Sequence, residues 1–155
     1  MSKQSDIAHA SYFAYKKHDG QTRKYTGEIY WFHPHAVAQI IEKSGGTVAM
    51  IQAAYLHDIL EDTDTNFEEL RDEFGIEVAH LVWELTDVFT HADYPAFCRA
   101  TRKKWECKRM AGISPEAKII KLADIADNTK SIVLHDPKFA IVYLREKADM
   151  LEVLT

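Results

Sequence analysis

"YLHDILEDTDT", residues 55–65, continues an apolar run, VAMIQAA, at 48–54. With only Gln52 to interrupt it, the run predicts a buried helix over Val48–Glu61. Yet His57, Asp58, Glu61, Asp62 and Asp64 crowd into its second half. On a helix, residues four apart stand one above the other, so Glu61 lies over His57 and Asp62 over Asp58. The neighbours His57 and Asp58 sit about 100° apart around the axis, and both reach a common point. Left unpaired in a core, each such group costs on the order of 2–7 kcal/mol. A divalent cation would balance them, and imidazole with carboxylate suits a first-row transition metal better than calcium or magnesium. A surface His–Asp pair is the plainer reading of His57 and Asp58 taken alone.

The segments on either side of this stretch also read as helices. Ile7, Ala8, Ser11, Ala14 and Tyr15 form one stripe over residues 5–18, and a polar loop, DGQTRKYTGEIYW, follows. Pro34 is a first-turn proline for a helix running to about Ser44, which Gly45–Gly46 ends. Thr65 and Glu68 have the spacing of a capping box, ahead of a short helix with Phe67, Leu70 and Phe74 on one face. Val78, Leu81, Val82 and Leu85 mark the next helix. Ser114–Pro115 and Asp136–Pro137 are paired start signals for two further helices. The first of these carries Ile119, Ile120, Leu122 and Ala123; the second carries Phe139, Tyr143, Met150 and Leu154. The expectation is a single all-α domain over 1–155, a bundle of six to eight helices.

Two distant segments join the opening stretch. "WFHPHAV" sets His33 at a helix start, where a capping or surface role fits equally. "KIIKLADIADNTKSI" puts Asp124 on the line Ile120–Asp124–Asn128, beside the apolar Ile119, Ile120 and Ala123, so that it faces inward. The combination of His33, His57–Asp58 and Asp124 is more specific than any one of its members.

That pattern resembles the HD-domain metal-dependent phosphohydrolases. "HDILEDTDT" is similar to the HDxxEDT segment of the alarmone (ppGpp) hydrolases, which comprise the hydrolase domains of Rel/SpoT proteins and small Mesh1-type enzymes. "GQTRKYTGE" at 20–28, "FHPHAVAQII" at 32–41, "FEELRDEFGIEVAHLVWELTD" at 67–87 and "KIIKLADIADN" at 118–128 follow in the same order. The resemblance covers roughly residues 7–150. One departure is clear: the family has Pro-Tyr shortly before the metal histidine, and this chain reads Ile29-Tyr30-Trp31-Phe32-His33.

The resemblance implies an HD-domain bundle holding a divalent metal, Mn2+ first, on His33, His57, Asp58 and Asp124. It assigns Glu61 and Asp62 to the attacking water, Arg23 and Lys24 to the nucleotide, and Asn128 and Ser131 to sugar or base. The implied reaction removes the 3′-diphosphate of guanosine 3′,5′-bis(diphosphate). Two other functions stay open: a phosphatase for NADPH or nucleoside monophosphates, and a nucleotide sensor without activity. Tyr143 lies on an apolar stripe, which fits a core residue or a nucleotide contact. Arg99, Arg102, Lys103, Lys104, Lys108 and Arg109 make "CRATRKKWECKRM" locally basic. A phosphate-rich ligand explains such a cluster, with Arg102 and Lys103 as contacts, and so does a solvated helix face. His9, His18, His35, His80, His91 and His135 read as surface or packing residues.

The composition agrees with a globular chain, at 46% hydrophobic and 28% charged residues. A net charge of −5 argues against general binding to nucleic acid or anionic membranes. The two cysteines, Cys98 and Cys107, form no disulfide framework, and no signal-peptide pattern opens the chain, so the cytoplasm is the expected location. Oligomeric state is not legible at this level.

Overall fold

The computed structural model describes residues 2–155. The helices are α1 (Lys3–Lys17), α2 (Phe32–Lys43), α3 (Val48–Leu56), α4 (Ile59–Asp62), α5 (Phe67–Phe74), α6 (Ile76–Leu85), α7 (Arg99–Met110), α8 (Pro115–His135) and α9 (Pro137–Leu154). The all-α expectation holds. Among the described residues the only extended pairing is a single bridge, Thr22 with Ile29. No described helix is long and apolar enough to cross a membrane.

α3 is the centre of the fold. Every residue from Met50 to Leu56 is buried, because α1, α2, α6 and α8 all pack on it. This is the all-round burial that an apolar run broken only by Gln52 requires.

The expected helix 48–61 is broken. His57 and Asp58 form a turn between α3 and α4. The His57 Nδ1–H donates to the Ala54 carbonyl at 2.7 Å, so the imidazole satisfies an acceptor at the end of α3. Periodicity cannot reveal this break, since a side chain takes over there from the backbone ladder. Counted as one bent unit, α3 and α4 bring the bundle to the expected upper number of helices.

Other starts are as the sequence indicates. Ser114 Oγ accepts from the Ala117 N–H, and Asp136 Oδ1 accepts from the Phe139 N–H, with a proline in the first turn of each helix. The cap of α5 is shifted by one residue from the expected Thr65. Asn66 Oδ1 accepts from the Glu69 N–H, while Thr65 is buried and receives a hydrogen bond from Thr63. Gly75 lies between α5 and α6 at φ +86°, a value that favours glycine and lets the chain reverse there.

The segment 87–98 is folded over α7. Glu106, 2% exposed, accepts from the N–H groups of Val88 (2.7 Å) and Phe89 (2.8 Å). Arg109 closes the same carboxylate through Nε and Nη2, and donates onward to the carbonyls of Glu84 and Thr86. Trp105 packs on Phe89 and Phe97 beside it. Removing one partner of such a buried charged pair costs about 3–5 kcal/mol. Glu106→Ala is therefore expected to lower the midpoint of thermal unfolding by about 10 °C in circular dichroism. A shift within about 2 °C would show that Glu106 does not hold this loop.

Candidate metal centre

Three pieces of chain deliver the site. His33 lies in the first turn of α2, His57 and Asp58 form the break after α3, and Asp124 is in mid-α8. The mutual packing of α2, α3 and α8 closes them on one another. His33, His57 and Asp124 are buried at 2%, 3% and 6% exposure.

The ligand atoms converge. His57 Nε2 and His33 Nε2 are 3.2 Å apart. Asp58 Oδ2 is 3.0 Å from His57 Nε2 and 3.6 Å from His33 Nε2. Asp124 Oδ1 is 3.1 Å from His33 Nε2 and 3.5 Å from His57 Nε2. Adjacent ligands about 2.0–2.2 Å from one ion stand about 3 Å apart, and His33, His57 and Asp58 are grouped closely enough to hold one, with Asp124 against both imidazoles.

The proton positions point the same way. The Ala54 carbonyl can only accept, so His57 carries its hydrogen on Nδ1. His33 Nδ1 faces Asp127 Oδ2 at 2.7 Å. Against the effect of burial, His33 and Arg23 hold the Asp127 carboxyl below its usual range, so His33 also donates from Nδ1. Both Nε2 lone pairs then face inward, onto each other and onto two carboxylate oxygens. Outer partners orient metal-binding histidines in this way. Burial opposes ionisation of Asp58 and Asp124. The imidazoles, with Lys121 on Asp124, outweigh it and keep both carboxyls well below the ordinary value. The acids raise both imidazoles in turn, again against burial. A proton and a cation therefore compete for one place. The donor set fits one divalent cation.

Residues around these four make a second layer, of which the sequence reading named Asn128 but not Tyr30, Lys121 or Asp127. Tyr30 Oη donates to Asp58 Oδ2 at 2.5 Å. Lys121 Nζ pairs with Asp124 Oδ2 at 3.1 Å, and Asn128 Nδ2 donates to Asp124 Oδ1 at 2.8 Å. Asp127, three residues after Asp124, had a legible spacing. Lys121, three residues before Asp124, shares that spacing, while Tyr30 carries no such signal. His18, expected as a surface or packing residue, is 2% exposed. Its Nδ1 meets Gln21 Oε1, and Gln21 Nε2 donates to the Asp62 carbonyl, fixing the end of α4.

The turn at His57–Asp58 interrupts the continuous helix on which Glu61 was expected to stand over His57. Glu61 is exposed, and its Oε1 accepts from the Asp87 N–H at 2.6 Å. Partial desolvation, with Asp87 and Asp58 close by, pushes its carboxyl up to about 8. Asp62 is also raised, through desolvation and Asp58.

The remaining candidates divide. Arg23 turns inward, donating to Asn128 Oδ1 at 3.2 Å, and lines a cleft of about 250 Å³ with His33, Asp127 and Ser131. Lys24 points outward over the Tyr25 ring. Tyr143 is buried at 6% exposure, with Oη 3.3 Å from Thr129 Oγ1. Lys103 faces Asp87 at 3.6 Å. Arg102 donates to the Phe97 carbonyl, in the loop rather than among the ligands.

A family model described as the HD domain matches residues 10–147. The chain belongs to the HD-domain family. It is 37% identical over 134 residues to the human guanosine-3′,5′-bis(diphosphate) 3′-pyrophosphohydrolase MESH1, a match covering 84% of this chain and 72% of that protein. It is also 37% identical over 134 residues to the guanosine-3′,5′-bis(diphosphate) 3′-pyrophosphohydrolase of Aquifex aeolicus, covering 82% of this chain but 18% of that longer protein. A solved structure described as "A metazoan ortholog of SpoT hydrolyzes ppGpp and plays a role in starvation responses" superposes with a TM-score of 0.84. It covers 97% of this chain and 85% of its own, at 28% identity.

His33→Ala and Asp124→Asn, far apart in sequence, are expected to cut bound divalent metal at least about 10-fold by plasma mass spectrometry. Metal retained by both variants at the parent level would remove these residues from the coordination sphere.

Proposed function

We propose that this protein hydrolyses guanosine 3′,5′-bis(diphosphate) to GDP and pyrophosphate, with Mn2+ held by His33, His57, Asp58 and Asp124. The observation that carries this reading is the inward-facing set of two imidazoles and two carboxylates, in a chain matched to hydrolases named for that reaction. A bound divalent metal supplies Lewis acidity and lowers the pKa of a water from 15.7 toward about 7.

The chain's own groups carry the rest. Glu61, with its carboxyl up to about 8, can hold a proton near neutral pH and give it to the departing 3′ oxygen. Asp62, on the same turn and fixed through Gln21, orients the attacking water. Water adds its oxygen to phosphorus as the bond from phosphorus to the 3′ oxygen breaks; the 3′ oxygen takes the Glu61 proton, and a proton released by the water returns to that carboxylate. Arg23 and Ser131 line the cleft beside His33 and position the nucleotide. Arginine grips an oxyanion through two parallel bonds or stacks on a base. Asn128, between Arg23 and Asp124, links the cleft to the ligands.

Incubation with Mn2+ and the bis(diphosphate) is expected to yield GDP and pyrophosphate. Glu61→Gln with Asp62→Asn is expected to lower turnover by about 10²–10⁴-fold while metal content and helicity persist. Phosphate release from NADPH or nucleoside monophosphates alone would overturn the substrate, and unchanged turnover would remove the acid pair.

A further inference from the structure

Glu106 is a buried acid, 2% exposed, that the proposed reaction does not use. Its two oxygens are divided between two tasks. Oε1 accepts from the N–H groups of Val88 and Phe89 at 2.7 Å and 2.8 Å. Oε2 accepts from Arg109 Nε at 3.0 Å and Nη2 at 2.9 Å. The same guanidinium donates to the carbonyls of Glu84 and Thr86, both at 2.9 Å. A buried charge is tolerated when it is paired and hydrogen-bonded. Here every outward bond of the pair goes to one short length of backbone, from residue 84 to residue 89.

Asp87 lies between the two groups of contacts. Its N–H is left over by the pair and donates to Glu61 Oε1 at 2.6 Å. Three consecutive N–H groups, of Asp87, Val88 and Phe89, thus end on two carboxylates, Glu61 first and then Glu106. Lys103 Nζ stands 3.6 Å from the Asp87 carboxylate and adds a hold from α7. Glu61 depends on this contact. It is exposed, on the four-residue helix α4. The Asp87 N–H is the one hydrogen-bond donor to its side chain among the described residues.

We propose that Glu106 and Arg109 are positioning residues for Glu61: by clamping the backbone before and after Asp87, they keep its N–H on Glu61 Oε1 and leave Oε2 as the oxygen that holds and delivers the proton. This deepens the function proposed above and rests on it for the role of Glu61. A backbone N–H can only donate, so Oε1 is committed as an acceptor. A carboxyl held by one oxygen presents the other in a fixed direction, and proton transfer to a leaving group needs that placement.

The test is a double-mutant cycle on turnover of the bis(diphosphate) with Mn2+, below the unfolding midpoint of each variant. Glu106→Ala is expected to lower kcat about 10-fold at unchanged KM and metal content. It is expected to lower kcat less than about 2-fold when Glu61 is already changed by Glu61→Gln, because residues acting as a unit are not additive. Glu106→Gln keeps an acceptor for the two N–H groups and is expected to recover most of the loss. A scaffold role alone would reduce both backgrounds equally. Amide hydrogen exchange by NMR needs no substrate: the Asp87 N–H is expected to exchange at least about 10-fold faster in Glu106→Ala. If that variant does not fold by circular dichroism, Glu106→Asp, which keeps the charge and withdraws the oxygens, replaces it. Equal losses in the two backgrounds, no loss at all, or unchanged exchange at Asp87 overturns the proposal. If the parent protein does not hydrolyse the bis(diphosphate) while exchange at Asp87 still rises in the variant, the clamp stands and the substrate reading fails instead.

Discussion

Two imidazole nitrogens face each other at 3.2 Å in the core of this bundle, and neither carries the hydrogen of its own neutral ring. That contact constrains everything around it. The Ala54 carbonyl and Asp127 turn the rings, Asp58 and Asp124 add negative charge, and Lys121 and Arg23 temper it. Such a cluster is repulsive unless a positive charge enters it, as a proton or as a cation. The break after α3 belongs to the same device: the imidazole that ends the helix also lends its Nε2 to the cluster.

Charge is sorted across the site. Acids lie at the ligands and along α4, where Glu61 and Asp62 are pushed toward their protonated forms. Cations stand beside them: Arg23 of the 19–31 loop 3.8 Å from Asp127, Lys121 of α8 3.1 Å from Asp124 and Lys103 of α7 3.6 Å from Asp87. A net charge of −5 conceals this arrangement.

Much of this was legible in the sequence, for physical reasons. The helix starts at Ser114 and Asp136 are local chemistry, and both form as read. The central position of α3 follows from its apolar run, interrupted only by Gln52. His57 and Asp58 could be singled out because polar groups inside an apolar run need compensation, and Asp124 because its line faces inward; His33 joined them through the family resemblance. Other features depend on contacts that pattern does not encode. Tyr30 reaches Asp58 through the fold of a loop, and His57 breaks its helix through a single side-chain bond. The inner face of α7 carries Lys103 and Glu106, so no apolar stripe announces that helix. The Asn66 cap was displaced by one residue because Thr65, equally suited, is drawn into the interior by Thr63.

The most direct test of the central claim is a crystal soaked in Mn2+, with diffraction recorded at the manganese edge. The account predicts one anomalous peak within about 2.3 Å of the Nε2 atoms of His33 and His57 and of carboxylate oxygens of Asp58 and Asp124. A crystal with no peak there, or with the peak bound elsewhere while these side chains remain hydrogen-bonded to one another, would contradict it.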